Sequence, residues 1–168
     1  MIVVRDGIFE DLPATLAIYN ELIGSTTVAW TEQEQTLEER WMWFAEQQRR
    51  GFPVLVAADE EILGVAAYAD FRNTQQWPGY RHTAELSIHV RRDRRQSGVG
   101  RLLMNALIER ARDNQIHVLV AGVDADNTDA LRFHERMGFS NVARMPETGR
   151  KFDRWLDLVF MQRIVDDA

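Results

Sequence analysis

The sequence predicts an α/β fold, a mixed sheet with helices packed on both of its faces. Three observations carry this. Apolar runs of strand length alternate along the chain with segments whose apolar residues recur at helical spacing. Turn and capping residues stand at the junctions between them. No repeat, low-complexity tract or Pro/Gly/Ser-rich linker divides the 168 residues, so residues 1–168 read as one domain with one sizeable core.

Residues 2–5 (IVVR) form a short opening strand. Leu12, Leu16, Tyr19 and Ile23 then share one helical face, and Gly24–Ser25 end that helix. Leu37, Trp41, Phe44 and Ala45 mark a second amphipathic helix, closed by Gly51. Strands at 54–58 and 62–71 are joined by an acidic turn at 59–61. A polar, aromatic loop follows from Arg72 to Tyr80. The segment 84–90 (AELSIHV) alternates as a strand does, and Val99, Leu102, Leu103, Ala106, Leu107 and Arg110 keep helical spacing. Residues 118–123 (VLVAGV) read as a buried strand. Asp126 or Asn127 caps a last helix bearing Ala130, Phe133 and Met137, with Gly138 at its C-terminus. Strands at 139–145 and 155–165 finish the chain.

Composition narrows the chemistry. With 45% hydrophobic and 27% charged residues, the chain belongs with ordinary globular proteins. It has no cysteine, which removes disulfides, thiolate nucleophiles and Cys-ligated metal from consideration. Its four histidines lack metal-ligand spacing, so no metal is expected. The N-terminal residues resemble neither a signal peptide nor a membrane span, and the expected location is the cytoplasm, away from any membrane. The net charge of −6 argues against nucleic acid as a partner. That charge is uneven: residues 91–101 carry a local +4, from five arginines against Asp93, within a remainder of −10. One concentrated cationic turn in an acidic protein suits a small anionic ligand; the plain alternative is a solvated strand-to-helix loop.

The turn itself reads Arg95–Gln96–Ser97–Gly98–Val99–Gly100, followed by Arg101 and a helix. Glycines let backbone N–H groups approach a phosphate closely, and a helix N-terminus adds unpaired donors and partial positive charge. A pyrophosphate is the natural ligand. The sequence lacks the Gly-Lys-Ser/Thr end of a nucleotide-hydrolase phosphate loop, and Leu103 stands where a dinucleotide fingerprint needs its third glycine.

Arg95-x-x-Gly98-x-Gly100 resembles the coenzyme-binding signature of the GNAT superfamily of acyltransferases. The stretch Asn127-x-x-Ala130-x-x-Phe133-His134-Glu135-x-x-Gly138-Phe139 resembles its second conserved segment. Phe71–Arg72–Asn73, Ala84–Glu85, Leu131–Arg132–Phe133–His134–Glu135 and Trp155–Leu156–Asp157 are similar to the phosphinothricin and methionine sulfone/sulfoximine acetyltransferase branch, and the resemblance spans nearly the whole chain. It implies a mostly antiparallel mixed sheet in which the strand at 85–90 splays from that at 118–123. It implies acetyl-CoA as co-substrate, its pantetheine pairing with the backbone of Ile88, His89 and Val90 and hydrogen-bonded by Asn127. The amides of residues 96–101 would hold the pyrophosphate. It also implies acetyl transfer to a primary amine, and a homodimer.

Direct transfer needs a base, because an α-amine is mostly protonated at neutral pH. Glu85, in an otherwise apolar strand, is the candidate, and an outward-facing edge glutamate is the alternative. The Val90 N–H could meet the developing oxyanion. His134 occupies the position where many family members place a tyrosine acid. Two readings stand for it, a proton donor to the thiolate or a histidine hydrogen-bonded within the core. His82 and His89 read as structural. Asn127 doubles as a helix N-cap. On the substrate side, Arg72 could pair with an amino acid's carboxylate. Gln75, Gln76 and Trp77, with Trp30 and Thr31 from the first interhelical loop, could wall the pocket. Glu85, Leu86 and Ser87 would line it, while Trp43 reads as packing or interface. The expected substrate is a small amino-acid-like amine. A protein N-terminal or lysine acetyltransferase and a non-catalytic acyl-CoA sensor are the competing readings.

Overall fold

The computed structural model describes residues 1–165. Its strands are β1 (Val3–Asp6), β2 (Val54–Ala58), β3 (Ile62–Asp70), β4 (Thr83–Val90), β5 (Val118–Asp124), β6 (Ser140–Lys151) and β7 (Arg154–Ile164). They form one sheet in the order β1-β2-β3-β4-β5-β7-β6. Every neighbouring pair is antiparallel except β4 and β5. That one parallel pair requires a crossover, since parallel neighbours cannot be joined by a hairpin, and a helix between the two strands supplies it.

Helices α1 (Leu12–Ser25) and α2 (Leu37–Arg49) cover one face of the sheet, and α3 (Val99–Asp113) covers the other. The last helix, α4 (Thr128–Arg136), follows β5 and adds Ala130, Leu131 and Phe133 to the α3 core. The larger core joins Leu103, Met104, Leu107 and Ile108 of α3 to the inward residues of β2 to β5 and β7. A smaller one joins Leu12 and Phe44 to Val54, Val56, Val65 and Ala67. Strand alternation follows directly: Ala84 and Leu86 face α3, while Glu85, Ser87 and His89 face α1 and α2.

Two predicted helical faces are corrected. On α2 the buried residues are Arg40, Phe44 and Gln47, whereas Trp41 and Ala45 are exposed. The face that packs is turned by one position because it includes two polar residues. Gln47 Nε2 donates to the Tyr68 carbonyl at 2.9 Å, and Arg40 Nε donates to Thr15 Oγ1 at 3.3 Å. On α3, Leu102 is exposed and Ala111 is buried. A capping box starts α2, with Thr36 and Glu39 each accepting from the other's backbone N–H at 3.2 and 2.7 Å.

Candidate active site

The feature that builds the site is an interruption of the sheet. Strands β4 and β5 are paired only at Thr83↔Val118, Ala84↔Leu119 and Glu85↔Val120. Both continue, to Val90 and Asp124, without pairing, which is the expected splay. Arg91 N–H donates to Leu63 O on the β3 side, and the His89 carbonyl lies on that side against Gly64. Because backbone groups alternate along a strand, the amides of Ile88 and Val90 face the gap and those of His89 do not. His89 is therefore removed from the expected pantetheine-pairing set.

At the end of the gap, Gly98 has φ +89° and caps α3, and Gln96 has φ 61°. Such alternation of backbone hand turns successive N–H groups into one concavity, a nest for an anion. Ser97 Oγ donates to the Arg94 carbonyl and holds the turn. Val99 is buried beneath it, and Gly100 lies against the Phe133 ring of α4, joining the two sequence motifs. Arg91 is committed elsewhere, paired with Asp93 and with Glu61 of the β2–β3 turn at 2.7 Å each. Arg95 and Arg101 are exposed at the turn. Asn127 caps α4, its Oδ1 accepting from Ala130 N–H at 3.1 Å. These groups suit a ligand with a pyrophosphate at one end and amides along its arm.

On the α1/α2 face, the Glu85 carboxylate lies over Gly122 of β5, where a Cβ would come within 3.3 Å of Glu85 Oε1. An isolated glycine in a buried strand marks such a close approach. Leu158 and Phe160 of β7 border the same spot. Burial raises the Glu85 carboxyl above the ordinary carboxylate range. Beside it is a groove of about 270 Å³, lined by Trp43, Gln47, Ala67, Asp70, Glu85 and Ser87. Trp43 is thus a groove wall, more than the packing residue expected. The Leu86 side chain is buried in the α3 core, so only its backbone borders the groove.

The 72–77 segment is placed differently from expectation. Gln75, Gln76 and Trp77 are exposed and do not line this groove. The amides of Gln75 and Gln76 donate to Asn73 Oδ1 at 3.0 and 3.2 Å, making a tight turn. Arg72 stacks over Tyr80 and Phe71 at 5.7 and 6.0 Å, and Phe71 packs edge-on against Phe160 at 5.9 Å. Trp30 is half-buried against Gly149 of β6, its Nε1–H donating to Thr27 O at 3.0 Å; Thr31 is half-buried beside it in the chain.

His134 is 5% exposed, between Phe133 and Phe139 at 5.2 and 5.4 Å. Its Nδ1 lies 2.8 Å from the Ala130 carbonyl, so Nδ1 carries the proton, and Nε2 is a buried acceptor without a partner among the described residues. Burial lowers its pKa despite that hydrogen bond. His89 is held neutral more strongly, pushed down to about 4 by burial and by the Arg40 guanidinium.

A sequence model of the Acetyltransferase (GNAT) family matches residues 15–139. The chain belongs to that family and is an N-acetyltransferase. It is 46% identical over 165 residues to the L-methionine sulfoximine/L-methionine sulfone acetyltransferase of Pseudomonas aeruginosa, covering 97% of this chain and 94% of that one. Among solved structures it resembles an N-acetyltransferase from Staphylococcus aureus, with TM-score 0.95, 36% identity and 99% of both chains covered. It also resembles a phosphinothricin acetyltransferase from Sinorhizobium meliloti in complex with acetyl-CoA, with TM-score 0.92, 29% identity and coverage of 98% and 88%. Among the described residues no helix is long and apolar enough to cross a membrane.

Proposed function

We propose that the chain transfers the acetyl group of acetyl-CoA directly to the α-amine of a small amino-acid analogue, of the methionine sulfoximine, methionine sulfone or phosphinothricin kind. One observation carries this: a carboxylate with a raised pKa lies over a bare glycine backbone beside the end of the β4–β5 pairing. Acetyl-CoA supplies the acetyl group as an activated thioester. Ile88 and Val90 offer backbone groups to its pantetheine, and the N–H of Val90 is the donor for the charge that develops on the thioester oxygen. The amides of residues 96–101, with Arg95 and Arg101, hold the pyrophosphate, and Asn127 contacts the arm between.

Glu85 takes the proton from the amine, directly or through a water. Trp43, Ser87 and the Leu86 backbone border the amine, Trp30 closes the far side, and Arg72 is the candidate for its carboxylate. Gln75, Gln76 and Trp77 contribute only if substrate draws their loop inward. For His134, the Nδ1–Ala130 hydrogen bond favours the structural reading, since an acid at Nε2 would require a buried imidazolium. A homodimer in the cytoplasm belongs to the same reading.

The test is free-thiol release from acetyl-CoA across amino acids, their oxidised sulfur analogues and phosphinothricin, with intact wild type and Glu85→Gln. Release with the sulfur or phosphinate analogues is expected, and Glu85→Gln should lower kcat by about 10²–10⁴-fold. Release with peptides alone would overturn the substrate class, and unchanged turnover in Glu85→Gln would remove the base.

A further inference from the structure

Lys151, the last residue of β6, is 1% exposed, and its ammonium meets backbone carbonyls instead of a carboxylate. Nζ donates to Ile23 O at 2.7 Å, Thr26 O at 2.7 Å and Ala29 O at 2.8 Å. All three of its protons are used, and the first two acceptors lie at the C-terminus of α1, where carbonyls lack helical partners and the dipole favours a cation. Burying a lysine that completely costs free energy, which the three carbonyl hydrogen bonds offset. What it holds is the segment leading from α1 towards α2.

The same segment is fixed at three other points. Thr27 Oγ1 donates to an Asp124 carboxylate oxygen at the end of β5. Asn20 ties down the far end, accepting from Gln35 N–H and donating to Gln35 O, both at 2.9 Å. The Trp30 ring rests on Gly149, so closely that a Cβ there would overlap the ring. Gly149 and Lys151 are alternate residues of β6, so one strand supplies both the seat for the ring and the anchor for the carbonyls. The turn that follows presents Lys151 firmly: Phe152 and Asp153 both have positive φ, at 51° and 58°, and the Phe152 ring lies 4.8 Å from Nζ.

This segment passes beside the chemistry. Asp124 and Gly122 face the same side of β5, two residues or about 7 Å apart, and the Glu85 carboxylate overlies Gly122. We infer that Lys151 and Gly149 are positioning residues for amine binding, which hold residues 26–31 down as the wall that Trp30 presents to the substrate. The inference rests on the acetyltransferase reading above. Neither residue touches the amine; each acts through Trp30.

The measurement uses the full chain, with acetyl-CoA and whichever amine the wild type turns over best. Lys151→Met and Gly149→Ala should each raise the amine KM roughly tenfold while kcat and the acetyl-CoA KM stay within about twofold. In a Trp30→Ala background, Gly149→Ala should add nothing, because the ring it displaces is gone. Amide exchange supplies a readout independent of any amine: residues 26–31 should lose protection in Lys151→Met, with the sheet unaffected. If Lys151→Met does not fold, Gly149→Ala alone and paired with Trp30→Ala decides the matter. An unchanged amine KM, equal rises in both KM values, additivity with Trp30→Ala, or retained protection would each overturn the inference. Failure of wild type to acetylate any small amine would instead overturn the functional reading, leaving the exchange result to judge the anchor.

Discussion

Glu85 shows how a residue's surroundings set its chemistry. A carboxyl group partly withdrawn from water favours its neutral form, and burial is the sole cause of the upward shift here. As the proposed base it would work only when ionised, so the acid limb of kcat/KM should lie above the ordinary carboxylate range. A pH–rate profile checks this; a limb at or below about 4.3 would contradict it. His89 makes the opposite contribution, to stability. Its folded pKa, about 4, lies below the usual 6.5. Protons therefore bind the unfolded chain first as pH falls. The stabilisation is fully present above pH 6.5 and is lost as pH falls through 6.5 towards 4. Thermal melts from pH 7 to 4 should show that loss, and His89→Gln should flatten it. The sequence distinguished Glu85, an ionisable residue in an apolar strand. It gave no sign of what Arg40 does, because a buried guanidinium packed 4.3 Å from Trp43 depends on a neighbour chosen by the fold.

Among the elements, strands and helices were legible wherever apolar periodicity was strong, as in α3 and β5. The α2 face was misread by one position because Arg40 and Gln47 occupy it, and polar residues are silent in a hydrophobic pattern. The turn at 95–100 was legible for a different reason: its glycines answer to backbone geometry. Gly98, at φ +89°, is the position where that matters most. Gly98→Ala should cost about 1–2 kcal/mol and raise the acetyl-CoA KM more than the amine KM. Thermal denaturation and steady-state kinetics check the two parts. Within β5 the small residue at 122 was visible in VLVAGV, but its purpose was not. That required knowing that β4 lies next to it and that Glu85 leans across.

Across the whole molecule, the order of strands explains why the substrate side was hardest to read. The polar, aromatic loop after β3 offered Arg72 for a substrate carboxylate and Gln75, Gln76 and Trp77 for the pocket wall. The groove is instead walled by Trp43 and Gln47 of α2, and the segment after α1 is anchored by Lys151 of β6, more than a hundred residues beyond it. Contacts of that span leave no local pattern. The short ladder between β4 and β5 has a further consequence. Central strands of a sheet ordinarily hide their amides from solvent deuterium better than any other part of a fold. Here Ile88 and Val90 sit mid-sheet with no strand to bond on one side. They should label early in the free protein, amid slowly labelling neighbours in β3, and fall silent once acetyl-CoA is added. The coenzyme would then be completing the sheet as a surrogate strand, and the labelling of two amides would report its arrival before any chemistry takes place.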